Sequence, residues 1–241
     1  MKTTNKSTVE YRRHMGDDLT IVDAARVSFD KESVLEEDGY ETIWITETVT
    51  EQRKKYKLSN QDEKLINYLA KHNHWSPFAH TSIQLRINAP LFVARQLVKH
   101  QVGGVWNEVS RRYVDEEPTF YFPDKWRGKP VNAKQGSTGF VKAPYCSDGI
   151  QEFTAEKVTE ACLWLYESSI ANGVAPEQAR MILPQNMMTT WYWTGSLMFF
   201  HRVFKQRAEA HAQLETQEVA IQIGDICNNL FPVSWKSLNG I

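Results

Sequence analysis

Arg95-Gln96-Leu97-Val98-Lys99-His100-Gln101-Val102-Gly103-Gly104-Val105-Trp106-Asn107-Glu108-Val109-Ser110-Arg111-Arg112-Tyr113 gathers cations, a histidine, amides, a carboxylate and a hydroxyl around a Gly-Gly break. Ala89-Pro90-Leu91-Phe92-Val93-Ala94 precedes it and reads as a helix start, with Pro90 in the first turn, where a missing N–H costs nothing. In that helix Arg95 and Lys99 share one face, with Gln96 and His100 beside them, and Gly103-Gly104 ends it. Asn107 to Tyr113 is too polar for a core strand yet is anchored by Val105, Trp106, Val109 and Tyr113. A segment this polar and this anchored suggests a binding loop whose arginines suit phosphate, which a guanidinium grips as a two-pronged fork. The same residues also fit a solvated basic helix followed by a surface loop.

Length and composition bound the rest. The chain has 241 residues, 41% of them hydrophobic, enough for one large domain or two small ones with a substantial core. Its formal charge of −1 implies no global attraction to nucleic acid or to an anionic membrane, so phosphate binding must be local. Cys146, Cys162 and Cys227 are scattered, without a C-x-x-C pair, which suits reduced thiols in a cytoplasmic protein. Met1 to Gly16 has no apolar signal segment and reads as a loose arm. Met181 to Phe200 carries no charge, but its Pro, Asn, Gln, Thr and Ser residues mark buried protein rather than a membrane span.

Periodicity sketches the elements. Asp18 to Phe29 is apolar with small residues, Glu41 to Val49 suggests a hairpin strand, and Asn60-Gln61-Asp62-Glu63 opens a capped helix. Ser82 to Asn88 alternates, with Ile83, Leu85 and Ile87 on one face of a strand. Thr119 to Phe122 is a short aromatic strand, Gln151 to Ile170 an amphipathic helix with Val158, Ala161, Cys162 and Leu165 inward, and Asn186 to Trp193 a buried strand. Ser196 to Gln206 is helical, and Arg207 to Glu215 extends a long helix to about Leu230, ended by Pro232. No clean boundary interrupts the chain. The expected architecture is a single α/β domain of the α+β type, with a central, mainly antiparallel sheet flanked by helices.

The residues leave several chemistries open. Four of the seven histidines, His72, His74, His80 and His100, fall within 29 positions, but no H-E-x-x-H or matched downstream ligand accompanies them, so they read as turn-capping and no metal is expected. Gly103-Gly104 is neither a Rossmann turn nor a P-loop. Ser110 beside Glu108 and Arg111-Arg112 reads as a phosphate donor more readily than as a nucleophile, which needs a stronger base within reach. A nucleotide-sensing or RNA-binding protein and a metal-dependent hydrolase remain as rivals.

Taken together, these stretches resemble the flavin-dependent thymidylate synthases. The family's Arg-His-Arg, seven or eight residues, then Ser stands here as Lys99-His100-Gln101, residues 102–109, then Ser110. Its upstream histidine segment is similar to His74-Trp75-Ser76-Pro77-Phe78-Ala79-His80, and its early Ala-Ala-Arg-Val-Ser to Ala24 through Ser28. Arg180 in Arg180-Met181-Ile182-Leu183-Pro184 resembles its downstream arginine, and Arg207 through His211-Ala212-Gln213 and Glu215 its closing helix. The likeness covers roughly residues 16–230, with insertions at residues 31–58 and 124–148. Both arginines of the core motif are replaced: Lys99 keeps a charge but loses the planar fork, and Gln101 keeps a donor but loses the charge.

The resemblance implies a methyltransferase assembled as a homotetramer, with active sites at subunit interfaces. It implies reductive methylation of dUMP to dTMP, with FAD reduced by NADPH and methylenetetrahydrofolate as the one-carbon donor. Classical thymidylate synthases use a cysteine that follows a proline, and no cysteine here does. On this likeness Arg112, with Ser110, Arg111 and Arg180, holds the dUMP phosphate, while Gln96, Lys99 and Glu108 line the nucleotide pocket. Arg207 faces the uracil carbonyl edge, and Arg207 and Ser110 are the catalytic candidates. His74, Ser76, His100, Gln101, Asn107, Glu108 and His211 contact FAD, with Arg202 carried more loosely. No metal, nucleic acid or membrane partner is implied.

Overall fold

The computed structural model describes residues 1–44, 50–114, 116–131 and 136–240. In chain order its elements are β1 (Lys2–Thr4), β2 (Thr8–Met15), α1 (Asp18–Arg26), β3 (Glu36–Trp44), β4 (Thr50–Lys57), α2 (Asn60–Lys71), β5 (Ser82–Pro90), α3 (Leu91–Leu97), β6 (Gly104–Glu108) and β7 (Thr119–Tyr121). There follow β8 (Trp126–Gly128), β9 (Thr138–Val141), β10 (Tyr145–Ser147), β11 (Glu152–Thr154), α4 (Ala155–Ala171), α5 (Pro176–Ala179), β12 (Met188–Gly195), α6 (Leu197–Arg207), α7 (Leu214–Leu230) and α8 (Pro232–Asn239). The architecture is mixed α and β. A four-stranded sheet runs β2-β5-β12-β6, and β3-β4, β8-β9 and β10-β11 pair antiparallel.

The chain forms two compact units, and each boundary between them falls inside a regular element. The first comprises Met1–Arg12, Gln84–Thr194 and Val203–Ile223. The second comprises Arg13–Ile83, Gly195–Arg202 and Gly224–Ile241.

In the first unit, β5 alternates as its sequence predicts, with Leu85, Ile87 and Ala89 fully buried. On β12 Trp191 is buried and its ring stacks on Trp106 of β6 at 4.3 Å between centroids, while Trp193 meets Trp106 edge-on at 5.3 Å. A second core joins Phe120, Leu163, Tyr166, Ala179, Leu183 and Met187. In the second unit, α2 packs on α8 and α1, burying Ile21, Val22, Ile66, Leu69 and Trp235. Asp18 accepts the backbone N–H groups of Val233 and Ser234 at 2.9 Å each, filling the role of a cap at the start of α8. Arg26 donates to Asp62, which also accepts from Ser33 and from the Ser59 hydroxyl that caps α2. The early arginine of the sequence likeness is thus a structural clamp.

Several expectations need correction. Residues 1–16 are no loose arm: β1 pairs in parallel with β7, Lys2 opposite Thr119, and β2 joins the sheet. Pro90 is the N-cap of α3 rather than a first-turn residue, and α3 ends at Leu97, before Gly103-Gly104. Lys99 therefore lies beyond the helix, and the turn through Gly103, at φ +86°, feeds Gly104 into β6. The buried face of α4 is Thr159, Leu163 and Tyr166, whereas Val158 and Leu165 are nearly half exposed. Two faces of α4 are apolar, so spacing alone does not choose between them. The expected long helix breaks between Arg207 and Leu214. Gln217 donates there to the carbonyls of Ala210 and Ala212, and Gln213 accepts from the distant Gln96 amide, so local helix propensity yields to these contacts. The hairpin expected around Glu41 to Val49 is present through Trp44, and residues 45–49 lie outside the described residues.

Candidate active site

The expected site residues of the first unit fall into two clefts. One, of about 820 Å³, is lined by Gln96, Arg207, His211 and a wall of Phe92, Tyr121 and Trp126. Its polar floor is tightly bonded. Arg207 Nε donates to His100 Nε2 at 3.0 Å, and Arg207 Nη2 donates to the Gln96 carbonyl at 3.3 Å. The Gln96 amide is held at both ends, its Nε2 donating to Gln213 at 2.6 Å and its Oε1 accepting from Thr216 at 3.3 Å. Burial, and then the adjacent Arg207 charge, hold the His100 ring below its ordinary pKa. A neutral imidazole with its Nε2 lone pair turned to Arg207 follows from both the bond and the shift. The guanidinium is thereby oriented with donors left for an incoming carbonyl oxygen.

The other cleft, of about 1080 Å³, is lined by Glu108, Arg111 and Arg180 together with Lys6 and Arg86. Ser110 lies beside it: its Oγ accepts from Arg112 Nε at 3.1 Å and from Arg180 Nη1 at 3.5 Å. Two guanidinium groups thus converge on one hydroxyl. Arg111 Nε is buried without a hydrogen-bond partner among the described residues, and its guanidinium sits over the Tyr166 ring at 5.7 Å. A buried cationic donor left unpaired is costly unless a ligand satisfies it, so Arg111 calls for an acceptor there, although Glu116, Glu117 and Glu177 also line the cleft. Glu108 accepts from Thr189 at 2.8 Å and from Trp106 Nε1 at 3.2 Å, so β6 and β12 hold it in place. Lys99, Gln101 and Asn107 are exposed.

The second unit holds His74, Ser76 and Arg202. His74 and Ser76 are exposed on the turn after α2, and the Arg202 guanidinium lies over the Trp75 ring at 5.6 Å. Tyr68 touches both His72 and His74, at 4.3 and 5.9 Å between ring centroids. Flat aromatic surface bordered by imidazole, hydroxyl and guanidinium donors suits a planar ring system with carbonyl acceptors.

The structure therefore brings Gln96, Arg207 and His211 to one cleft of the first unit, with His100 bonded behind Arg207, and Glu108, Arg111 and Arg180 to another, with Ser110 bonded to Arg180 and Arg112 to Ser110. Sequence reasoning missed Thr216, which pins Gln96, and Arg127, which lines the first cleft and pairs with Glu215. Arg127 stands among Gly, Pro and Lys residues in what reads as a surface excursion, and no local signal marks it. Among the described residues, no cysteine lines either cleft. Burial pushes the Cys227 thiol far up, leaving it inert.

Comparison with known proteins agrees. A flavin-dependent thymidylate synthase of Kosmotoga olearia is 34% identical over 239 residues, covering 98% of this chain and 92% of that protein. One of Thermus thermophilus is 33% identical over 233 residues, covering 97% and 76%. Among solved structures, the UMP/dUMP methylase PolB from Streptomyces cacaoi bound with 5-Br dUMP has the same fold, with a TM-score of 0.76 at 23% identity over 100% of this chain and 98% of that one. Residues 11–233 match the family described as thymidylate synthase complementing protein, and the chain belongs to that family.

Proposed function

We propose that this protein is a flavin-dependent thymidylate synthase that methylates dUMP to dTMP, with methylenetetrahydrofolate as one-carbon donor and NADPH as reductant. The observation that carries the reading is Arg207, clamped by His100 and the Gln96 carbonyl on the floor of an aromatic-walled cleft. Arg207 is the group that meets the uracil carbonyl edge. A donor already in position stabilises negative charge on that carbonyl edge, which makes C5 more nucleophilic toward the one-carbon unit with little reorganisation. Gln96 lines the nucleotide pocket, with Lys99 at its rim. Ser110, Arg111, Arg112 and Arg180 hold the 5′-phosphate, and the unpaired Arg111 Nε fits that role. Glu108 faces both nucleotide and cofactor.

The donor set also fits FAD. His74, Ser76, His100, Gln101, Asn107, Glu108, Arg202 and His211 are the residues proposed to hold it. FAD, when bound, supplies the hydride that completes the methyl group. Because the Arg207 cleft and the Arg111–Arg180 cleft have different linings, one nucleotide is served by both most simply when neighbouring copies supply them. We therefore propose a homotetramer with active sites at subunit interfaces, the whole chain acting as one synthase domain, with residues 31–58 and 124–148 as insertions, in the cytoplasm.

The purified protein tests the reading directly. A yellow protein, bleached by NADPH and forming dTMP only when dUMP is present, is the expected result. A colourless zinc protein, or a colourless metal-free one that retards RNA, would overturn it.

A further inference from the structure

The hairpin β8-β9 does more than cover a surface. Arg127 of β8 donates through Nη2 to both carboxylate oxygens of Glu215 at 2.8 Å and through Nε to Ser137, at the foot of β9, at 2.9 Å. The Arg127 and Glu215 side chains are only 21% and 5% exposed, so this pair is largely withdrawn from water. One guanidinium thus ties β8, and the residue that leads into β9, to the first turn of α7. Gly128 fits because a Cβ there would lie 2.7 Å from the Thr138 carbonyl, which keeps the two strands close. Tyr121, Glu218, Asp124 and Lys125 are the other titratable groups around the pair.

The residues next to Glu215 face the nucleotide floor. Thr216, fully buried, donates to Gln96 Oε1, Gln213 accepts from Gln96 Nε2, and the Gln96 carbonyl accepts from Arg207. Lys125, Trp126 and Ser137 of the hairpin line the same cleft as Gln96 and Arg207. We infer that Arg127 is a positioning residue: through Glu215 and the start of α7 it sets the orientation of Gln96 and Arg207, and it holds the hairpin as the wall that closes the cleft on the pyrimidine side. This rests on the reading that the Arg207 cleft takes the pyrimidine nucleotide. A one-ångström shift of α7 is enough to spoil a bidentate grip on a base, which is why a pair remote from the chemistry matters.

The test uses the full chain carrying Arg127→Ala or Glu215→Gln, with backbone hydrogen exchange measured without ligand and dUMP affinity measured with it. Faster exchange in residues 136–141 together with residues 208–217, and a dUMP Kd raised about tenfold with flavin content unchanged, is the expected outcome. Faster exchange confined to the hairpin, with unaltered dUMP affinity, overturns the inference and leaves a plain staple. If Arg127→Ala does not fold, Arg127→Lys keeps the charge and removes the fork. A Lys variant that matches the unaltered protein in exchange and affinity overturns the inference, whereas joint loosening with about threefold weaker binding supports it. Should the unaltered protein fail to bind dUMP, the functional reading falls, and joint or separate loosening still decides whether the relay exists.

Discussion

Arg207 donates to a neutral imidazole on one side and to a backbone carbonyl on the other, which fixes its guanidinium in the cleft with donors to spare. Arg207→Ala is expected to leave the protein folded by circular dichroism and still yellow, with dTMP formation slowed by about 10²–10³. Near-normal turnover would remove Arg207 from the mechanism. His100 gives this contact a pH dependence. Its folded pKa lies below its unfolded value of 6.5, so the folded state binds fewer protons, and stability is lost as pH falls through the folded value. Protonation would turn the acceptor of Arg207 into a donor. The dUMP Kd is therefore expected to rise as pH falls through the lowered His100 value, and His100→Asn to flatten that limb. Ser110 organises Arg112 and Arg180 rather than carrying a base of its own. Ser110→Ala should weaken dUMP binding about tenfold while turnover stays measurable. Lost chemistry with dUMP still bound would mark it instead as a nucleophile.

Among the elements, α2 depends on one carboxylate. Burial pushes Asp62 up, but hydrogen bonds from Ser59, Arg26 and Ser33 and the Arg26 charge outweigh it and hold the group below the usual carboxylate range. Its stabilisation is present above the unfolded value of 3.8 and lost as pH falls through the lower folded value. Arg26→Ala, which leaves a nearly buried charge unpaired, is expected to lower unfolding stability by about 3 kcal/mol in urea titration and to make acid unfolding begin at higher pH. An unchanged midpoint would show the clamp to be idle. The alternation of β5 was legible because one face of that strand is buried and the other is not. The inward face of α4 was not legible, because its apolar residues spread over more than one stripe and only Phe120, Leu183 and Met187 select which is covered. The break after Arg207 was hidden in the same way. Ala208 to Gln213 favours helix locally, while Gln217 rewards the chain for leaving it.

For the whole molecule, Arg111 and Arg180, proposed to hold the phosphate, and Arg207 line different clefts of the first unit, and the His74 surface belongs to the second. If neighbouring copies complete each site, specific activity should fall on dilution as the assembly dissociates, in step with the mass measured by sedimentation; constant activity in a monomer would refute the shared site. No helix among the described residues is long and apolar enough to cross a membrane, so the charge-free run from Met181 is accounted for by β12 and α6. The sequence by itself determined the family, the polar clusters and the alternation of β5, because these rest on residue identity and spacing along one chain. Tertiary structure alone decided which face of α4 is buried, where the closing helix breaks and that Arg127 meets Glu215, 88 residues away, because each depends on packing choices that no local pattern encodes.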